Sequence, residues 1–283
     1  MPDPSSRRPE PTDPRGLLPD RYAGLPLRRL GAGWDNVGYA LGDDLLMRVS
    51  LLVTPSARAA AVTRDRLLLN AIPSYAGVTI PSVTWADPPA GVTIGPLVTG
   101  AVAATVPTLD PEVFGASVGR FLRHLHDVPV TAIPVDLSTW SARVGHARAA
   151  ASVADLPLAP ADRALIDSVL ARPLPAPVPP VLVHNDLGED HLFVGESGEL
   201  SGVIDWSDAA ADDPARDFAL VLFDFGERAF QAALSAYGGD LALADRARWF
   251  AARAGVEGVG HRIRHGEGGV RETLDRIAAC YPG

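Results

Sequence analysis

VLVHNDLGEDHLFVGESGELSGVIDWSDAAADDPARDFALVLFDF, residues Val181–Phe225, sets two acidic clusters directly behind apolar runs: His184–Asn185–Asp186 and Asp205–Trp206–Ser207–Asp208. Short apolar runs cut by Gly, Asp and Ser read as buried strands that end in functional loops. Between the clusters His191-Leu-Phe-Val opens a strand, Glu196–Glu199 makes a Gly-containing turn, and Leu200–Ile204 returns as a second strand. That is a β-hairpin with His191 at its mouth and Asp205 at its exit, both at the same end of the pair. With Asp186 entering nearby, this is the arrangement that a divalent cation bridging phosphate oxygens requires, with hard oxygen ligands on one side and open positions on the other. A lone HxD is commonplace on a solvated loop. The ordered set of HxD, a His five residues on and IDW after a hairpin is much harder to obtain that way.

The ordered set resembles the catalytic and metal-binding segment of the aminoglycoside and macrolide phosphotransferases, which are similar in fold to the eukaryotic protein kinases. The resemblance covers about residues 22–280, and its specificity rests on 181–225. It implies an α+β, bilobal protein-kinase-like fold with a small antiparallel-sheet N-lobe and a larger, mainly helical C-lobe. It also implies that Asp186 orients the substrate hydroxyl and accepts its proton, that His184 packs beneath the catalytic loop, and that Asp205 is the principal Mg²⁺ ligand. His191 stands where most relatives have a metal-ligating Asn. Imidazole is a softer ligand than an amide oxygen, so metal ligation by His191 is the weaker expectation.

A chain of 283 residues is long enough for one large domain or two lobes with a sizeable core. Its 47% hydrophobic and 21% charged residues place it with soluble globular proteins. The single Cys280 excludes an internal disulfide and fits a reducing compartment. Neither an eighteen-residue apolar run nor an N-terminal apolar h-region occurs, so no membrane span or secretory signal is read and the cytoplasm is expected. The formal net charge of −9 argues against a nucleic-acid partner and fits cationic or metal-chelated small ligands. A monomer is expected.

Residues 1–20, with six prolines and little apolar pattern, read as a disordered or loosely attached leader. Residues 21–99 read as the nucleotide-binding lobe. Leu27–Leu30, Val37–Leu41 and Leu45–Val49 form a three-strand meander that needs a covering helix. The Gly31–Asn36 segment GAGWDN is a plain hairpin turn or a nucleotide-covering loop in which Gly31 and Gly33 let the backbone approach phosphate. By resemblance this loop, Trp34 and Asn36 included, lies over ATP or GTP. Arg48 stands where more kinase-like relatives have Lys, and an edge-strand Arg facing water is its structural alternative. Ser56–Ile72 is a helix stopped before Pro73, and its Asp65 is the positional match for the acid that pairs with the strand cation. Residues 78–86 and 91–98 complete the sheet by resemblance. Ile94 and Leu97 then belong to a linker whose backbone meets the base, where Pro96 offers no N–H.

Residues 100–283 read as the catalytic and substrate-binding lobe. Asp110-Pro111-Glu112 starts a helix. His124 and His126, two apart, lie on different helix faces and read as packing or surface residues. Helices follow at 137–151 and 161–170, then the stiff Pro-rich connector Leu170–Pro180. After Asp208, Asp213 reads as a cap, Arg216 as surface, and Asp217, by resemblance, as the structural tie between a helix and the catalytic loop. Helical stretches at Glu227–Tyr237, Leu241–Ala254 and His265–Ala279 close the chain. Asp224, Glu227 and Glu267 are the acids to weigh against an aminoglycoside ammonium, with ordinary surface roles as the alternative, while Trp249 and Phe250 read as core. The resemblance implies an O-phosphotransferase that moves the γ-phosphate of ATP or GTP, with Mg²⁺, to a hydroxyl of an aminoglycoside antibiotic. A macrolide 2'-phosphotransferase and a nucleotide-binding protein without turnover are the alternatives. An acidic acceptor pocket favours the aminoglycoside, a broad apolar groove the macrolide.

Overall fold

The structure, a computed structural model, describes residues 7–33, 35–137 and 141–281. The chain divides into two compact units, one of Met1–Thr99, Thr131–Val135 and Gly202–Ser207, the other of Gly100–Val130, Asp136–Ser201 and Asp208–Gly283.

The first unit is built on β1 (Leu27–Ala32), β2 (Asn36–Leu41), β3 (Leu45–Ser50), α1 (Pro55–Ala71), β4 (Trp85–Asp87) and β5 (Val92–Pro96). The strands form one antiparallel sheet in the order β1-β2-β3-β5-β4. Period-two alternation turns Val37, Tyr39 and Leu41, Met47 and Val49, and Val92 and Ile94 into a single buried cluster. Helix α1 starts at a Thr54 cap whose hydroxyl accepts the Ala57 N–H, has Pro55 in its first turn, and lies against β3 and β4.

Two sequence expectations fail here. Residues 78–84 do not continue β4: the Asn70 side chain of α1 donates to the Val83 carbonyl at 3.1 Å and accepts the Val83 N–H at 2.9 Å, replacing a strand ladder. Residues 7–20, read as a loose leader, are laid onto the sheet. The Arg8 N–H donates to the Leu51 carbonyl at 2.7 Å, its guanidinium donates to the Ser50 and Ala90 carbonyls, and Leu17 and Leu18 pack on the buried cluster. Proline-rich composition lowers regular structure, but it does not stop arginines from binding the carbonyls at a strand end.

The second unit contains β6 (Ala101–Val102), α2 (Pro111–His126), α3 (Ala142–Val153), α4 (Pro160–Leu170), β7 (Val181–Val183), β8 (Leu192–Val194), β10 (Ala210–Asp212), α5 (Ala215–Tyr237), α6 (Leu241–His265) and α7 (Val270–Ala279), and β9 (Leu200–Val203) begins in it and runs into the first unit at Gly202. β7 pairs antiparallel with β10, and β8 joins β6 and β9 in a small sheet. The packing of α2 on α5 is close because Gly115 and Gly119 sit against the Ala229 and Ala233 backbone, where an added Cβ would collide with both carbonyls. Helix α5 bends at Gly226, whose φ of 79° is left-handed. Helix α6 runs to His265 instead of ending at Ala254. Its Gly255 and Gly260 are points of close approach to Phe223 and Ile277, and to Ser152, and do not break the helix. Among the described residues no helix is long and apolar enough to cross a membrane.

Candidate active site

In the first unit a cavity is lined by Gly31, Gly33, Asp35, Asn36, Arg48 and Asp205, among others. Neither Gly31 nor Gly33 adopts positive φ, and a Cβ on either would meet nothing within 4 Å. What they give the cavity is open space beside the backbone. Trp34 lies outside the described residues. Arg48 is on the middle strand of the sheet, which removes the edge-strand reading, and its Nη1 lies 3.4 Å from Asp65 Oδ2. Burial pushes the Asp65 carboxyl above the usual carboxylate range, and Arg48 then Arg64 pull it back.

Asp205 leaves β9 with φ of 60°, a conformation that Asp tolerates better than most residues. Its Oδ1 accepts the Ser207 hydroxyl at 2.9 Å, and the next residue, Trp206, is buried with its indole N–H on the Val203 carbonyl. Arg64 Nη1 reaches the Trp206 carbonyl at 3.5 Å. Adjacent residues of α1 therefore hold the strand cation, through Asp65, and the Asp205 turn, through Arg64.

Asp35 was not singled out from the sequence. Its carboxyl is raised by burial and then by the charge of Asp205, while Arg7 and Arg48 lower it. Asp35 and Asp205 thus set two carboxylates, the hard oxygen donors that a divalent cation takes, in one cavity. Among the described residues no three His, Cys, Asp or Glu side chains form a ready-made metal cage.

Ile94 and Leu97 do not line this cavity. Ile94 is fully buried inside β5 and its carbonyl accepts both the N–H and the hydroxyl of Thr84, while the Leu97 N–H donates to Asp44. β5 ends at Pro96, so Ile94 lies within the strand and Leu97 just beyond its end.

In the second unit β7 delivers His184–Asn185–Asp186. Asn185 has φ of 70°, and the turn is held from below by Asp217 of α5. Its Oδ2 accepts the His184 N–H at 3.0 Å, its Oδ1 the Asn185 N–H at 2.7 Å. His126 Nε2 lies 3.0 Å from the same Oδ2, and its Nδ1 meets the Tyr237 hydroxyl. His184 is fully buried, and its Nδ1 accepts the Asp186 N–H at 3.3 Å. His191 Nδ1 donates to the Asp186 carbonyl at 2.8 Å, and its Nε2 lies 3.7 Å from Asp190 Oδ2.

The Asp186 side chain, 42% exposed, faces a cavity of its own unit. Trp249 and Phe250 line it, Ala142 and Gly145 leave it room, and Arg216 and Glu257 flank it. Arg216, read as surface, is 14% exposed: it pairs with Asp212 at 3.1 Å, donates to Asn185 Oδ1 and covers the Phe250 ring. The three acids weighed for substrate lie elsewhere. Glu227 is paired with Arg248, Glu267 with His261, and Asp224 with Arg276 while accepting the Glu189 N–H. Burial and then Glu189 push the Asp224 carboxyl up to about 6.

A family model for the phosphotransferase enzyme family (APH) matches residues 26–250. The chain belongs to this family. As a member of the phosphotransferase family it has the protein-kinase-like α+β fold that the sequence implied. The apoenzyme crystal structure of macrolide 2'-phosphotransferase MphH from Brachybacterium faecium is 26% identical, with a TM-score of 0.64 over 92% of this chain and 95% of that chain. The GDP and kanamycin complex of APH(2")-IIIa is 20% identical, with a TM-score of 0.69 over 90% of this chain and 92% of that chain. A stretch of 47 residues is 40% identical to the uncharacterized protein YcbJ of Bacillus subtilis (strain 168), and it spans 17% of this chain and 15% of that protein.

Proposed function

We propose that this phosphotransferase moves the γ-phosphoryl group of ATP or GTP to a hydroxyl of a macrolide antibiotic. The observation that carries the acceptor class is the cavity at Asp186, lined by Trp249, Phe250, Arg216 and Arg253, where Glu257, the acid beside Asp186, is itself paired with Arg148. A large apolar ring with one amino sugar matches such a cavity better than a polycation, and Asp224, Glu227 and Glu267 are engaged by Arg276, Arg248 and His261. The aminoglycoside reading keeps one specific support, the higher TM-score of the kanamycin-bound neighbour.

In this reading Gly31, Gly33 and Asn36 border the phosphates, and Arg48, oriented by Asp65, meets their oxygens. Asp205 would hold Mg²⁺. The bound ion supplies charge neutralisation at the phosphoryl group, often the largest catalytic contribution. Asp186 orients the acceptor hydroxyl and takes its proton. The buried His184 and Asp217 keep Asp186 from swinging, since each bonds the backbone of its loop.

The test is a phosphotransfer screen of macrolides and aminoglycosides with ATP and GTP in parallel, with the D186N variant beside the wild type. D186N is expected to lose about a hundredfold or more in kcat and to bind nucleotide normally. Wild-type turnover in D186N would refute the role of Asp186, and transfer to aminoglycosides alone would reverse the acceptor class.

A further inference from the structure

Gly33 lies in the β1–β2 loop, between Ala32 of β1 and Asn36 of β2. Gly33 carries no side chain, a Cβ built on it would touch nothing within 4 Å, and its N–H is engaged within the loop by the Asn36 carbonyl at 2.9 Å. A glycine so placed samples a wide range of backbone conformations unless its peptide plane is fixed from outside. Arg7 supplies that fixation: its Nη2 donates to the Gly33 carbonyl at 3.0 Å. Arg7 is itself anchored, since its backbone bridges to Leu52. The next residue, Arg8, donates its N–H to Leu51 and its guanidinium to Ser50 and Ala90. Leu51 in turn donates its N–H to the Asp35 carbonyl on the other side of the loop tip. The charge of Arg7 also acts on the Asp35 carboxylate inside the cavity.

We propose that Arg7, seated by Arg8, is a positioning residue for the glycine-containing loop and sets its conformation for the nucleotide. The proposal rests on the reading of this cavity as a nucleotide site. The Arg7–Arg8 pair clamps the loop through the carbonyl of Gly33. Fixing the loop before binding removes an ordering cost from the nucleotide, and the effect belongs to affinity more than to turnover.

Three measurements on the full chain test this. Calorimetric titration with Mg·ATP and Mg·GTP is expected to show a Kd raised about fivefold to tenfold in R7A, the size of one charge-assisted hydrogen bond, with the same rise in nucleotide KM and kcat within about twofold. R7K, which keeps one donor, is expected to recover part of the loss, and R8A to copy R7A by unseating its neighbour. Hydrogen exchange of the peptide covering residues 28–37, without nucleotide, is expected to quicken in R7A while the melting temperature holds. Unchanged exchange and unchanged Kd in R7A would overturn the clamp. A wild type that binds neither nucleotide, with exchange still quickened in R7A, would instead sink the nucleotide reading and leave the clamp a loop-ordering contact only, which overturns the proposed role.

Discussion

Asp217 and His126, ninety-one positions apart, meet at 3.0 Å with both side chains almost fully buried, and the same carboxylate accepts the backbone N–H groups of His184 and Asn185. A carboxylate has acceptor capacity for all three donors. An amide has one oxygen and turns an NH₂ toward a donor. D217N should therefore cost about 2–4 kcal/mol and lower the melting temperature by roughly 10 °C. A fall of less than about 2 °C in a thermal melt would mean that other contacts hold the turn.

The pairing of Arg48 with Asp65 links a cation in the cavity to an acid that burial already disfavours. R48A should raise nucleotide KM by about tenfold and destabilise the chain, because Asp65 loses its main counter-charge. R48K, a point charge in place of a fork, should fall between. Adding D65N to R48A should restore stability and leave KM high, a split that steady-state kinetics and denaturant unfolding read separately.

Asp224 gives a pH signature. Its folded-state value of about 6 lies above the ordinary 3.8 of an aspartate, chiefly through burial and then through Glu189, against the pull of Arg276. The folded chain thus holds the proton more tightly than the unfolded one. This contribution to stability is fully present below about pH 4 and is lost as pH rises through 6, at most roughly 3 kcal/mol. D224N should flatten the unfolding free energy between pH 4 and 6.5 relative to wild type. Parallel curves for the two proteins in urea melts across that range would refute the assignment.

Gly119 touches the Ala233 backbone across the α2–α5 contact. In an open helix, Gly to Ala gains up to about 1 kcal/mol. Here the added methyl must push two helices apart, so G119A should cost about 2–3 kcal/mol. G145A, in α3 with nothing within 4 Å, is the control that should stabilise or stay neutral in the same melts.

Much of this architecture is written in local pattern. Asp186 and Asp205 follow apolar strands, Asp65 sits at helical spacing in a segment stopped by Pro73, and Asp217 falls in a helix start. Each depends on neighbours in sequence. Asp35, Glu257 and Arg64 are different: whether a lone charge faces a cavity or solvent is decided by elements far away in the chain. Where β5 ends is set by its ladder with β3, and the Leu97 N–H by Asp44, neither of which an apolar run reveals. The segment at 7–20 was misread for the opposite reason, since its proline content speaks about regular structure and is silent about arginines that bind strand carbonyls.

Helix α1 carries Arg64 and Asp65 side by side, one bonded to the Asp205 turn and the other to Arg48. A displacement of this helix by an ångström or two would loosen both grips in one motion. A compound wedged behind α1 would therefore act on both at once from outside the cavity that they serve.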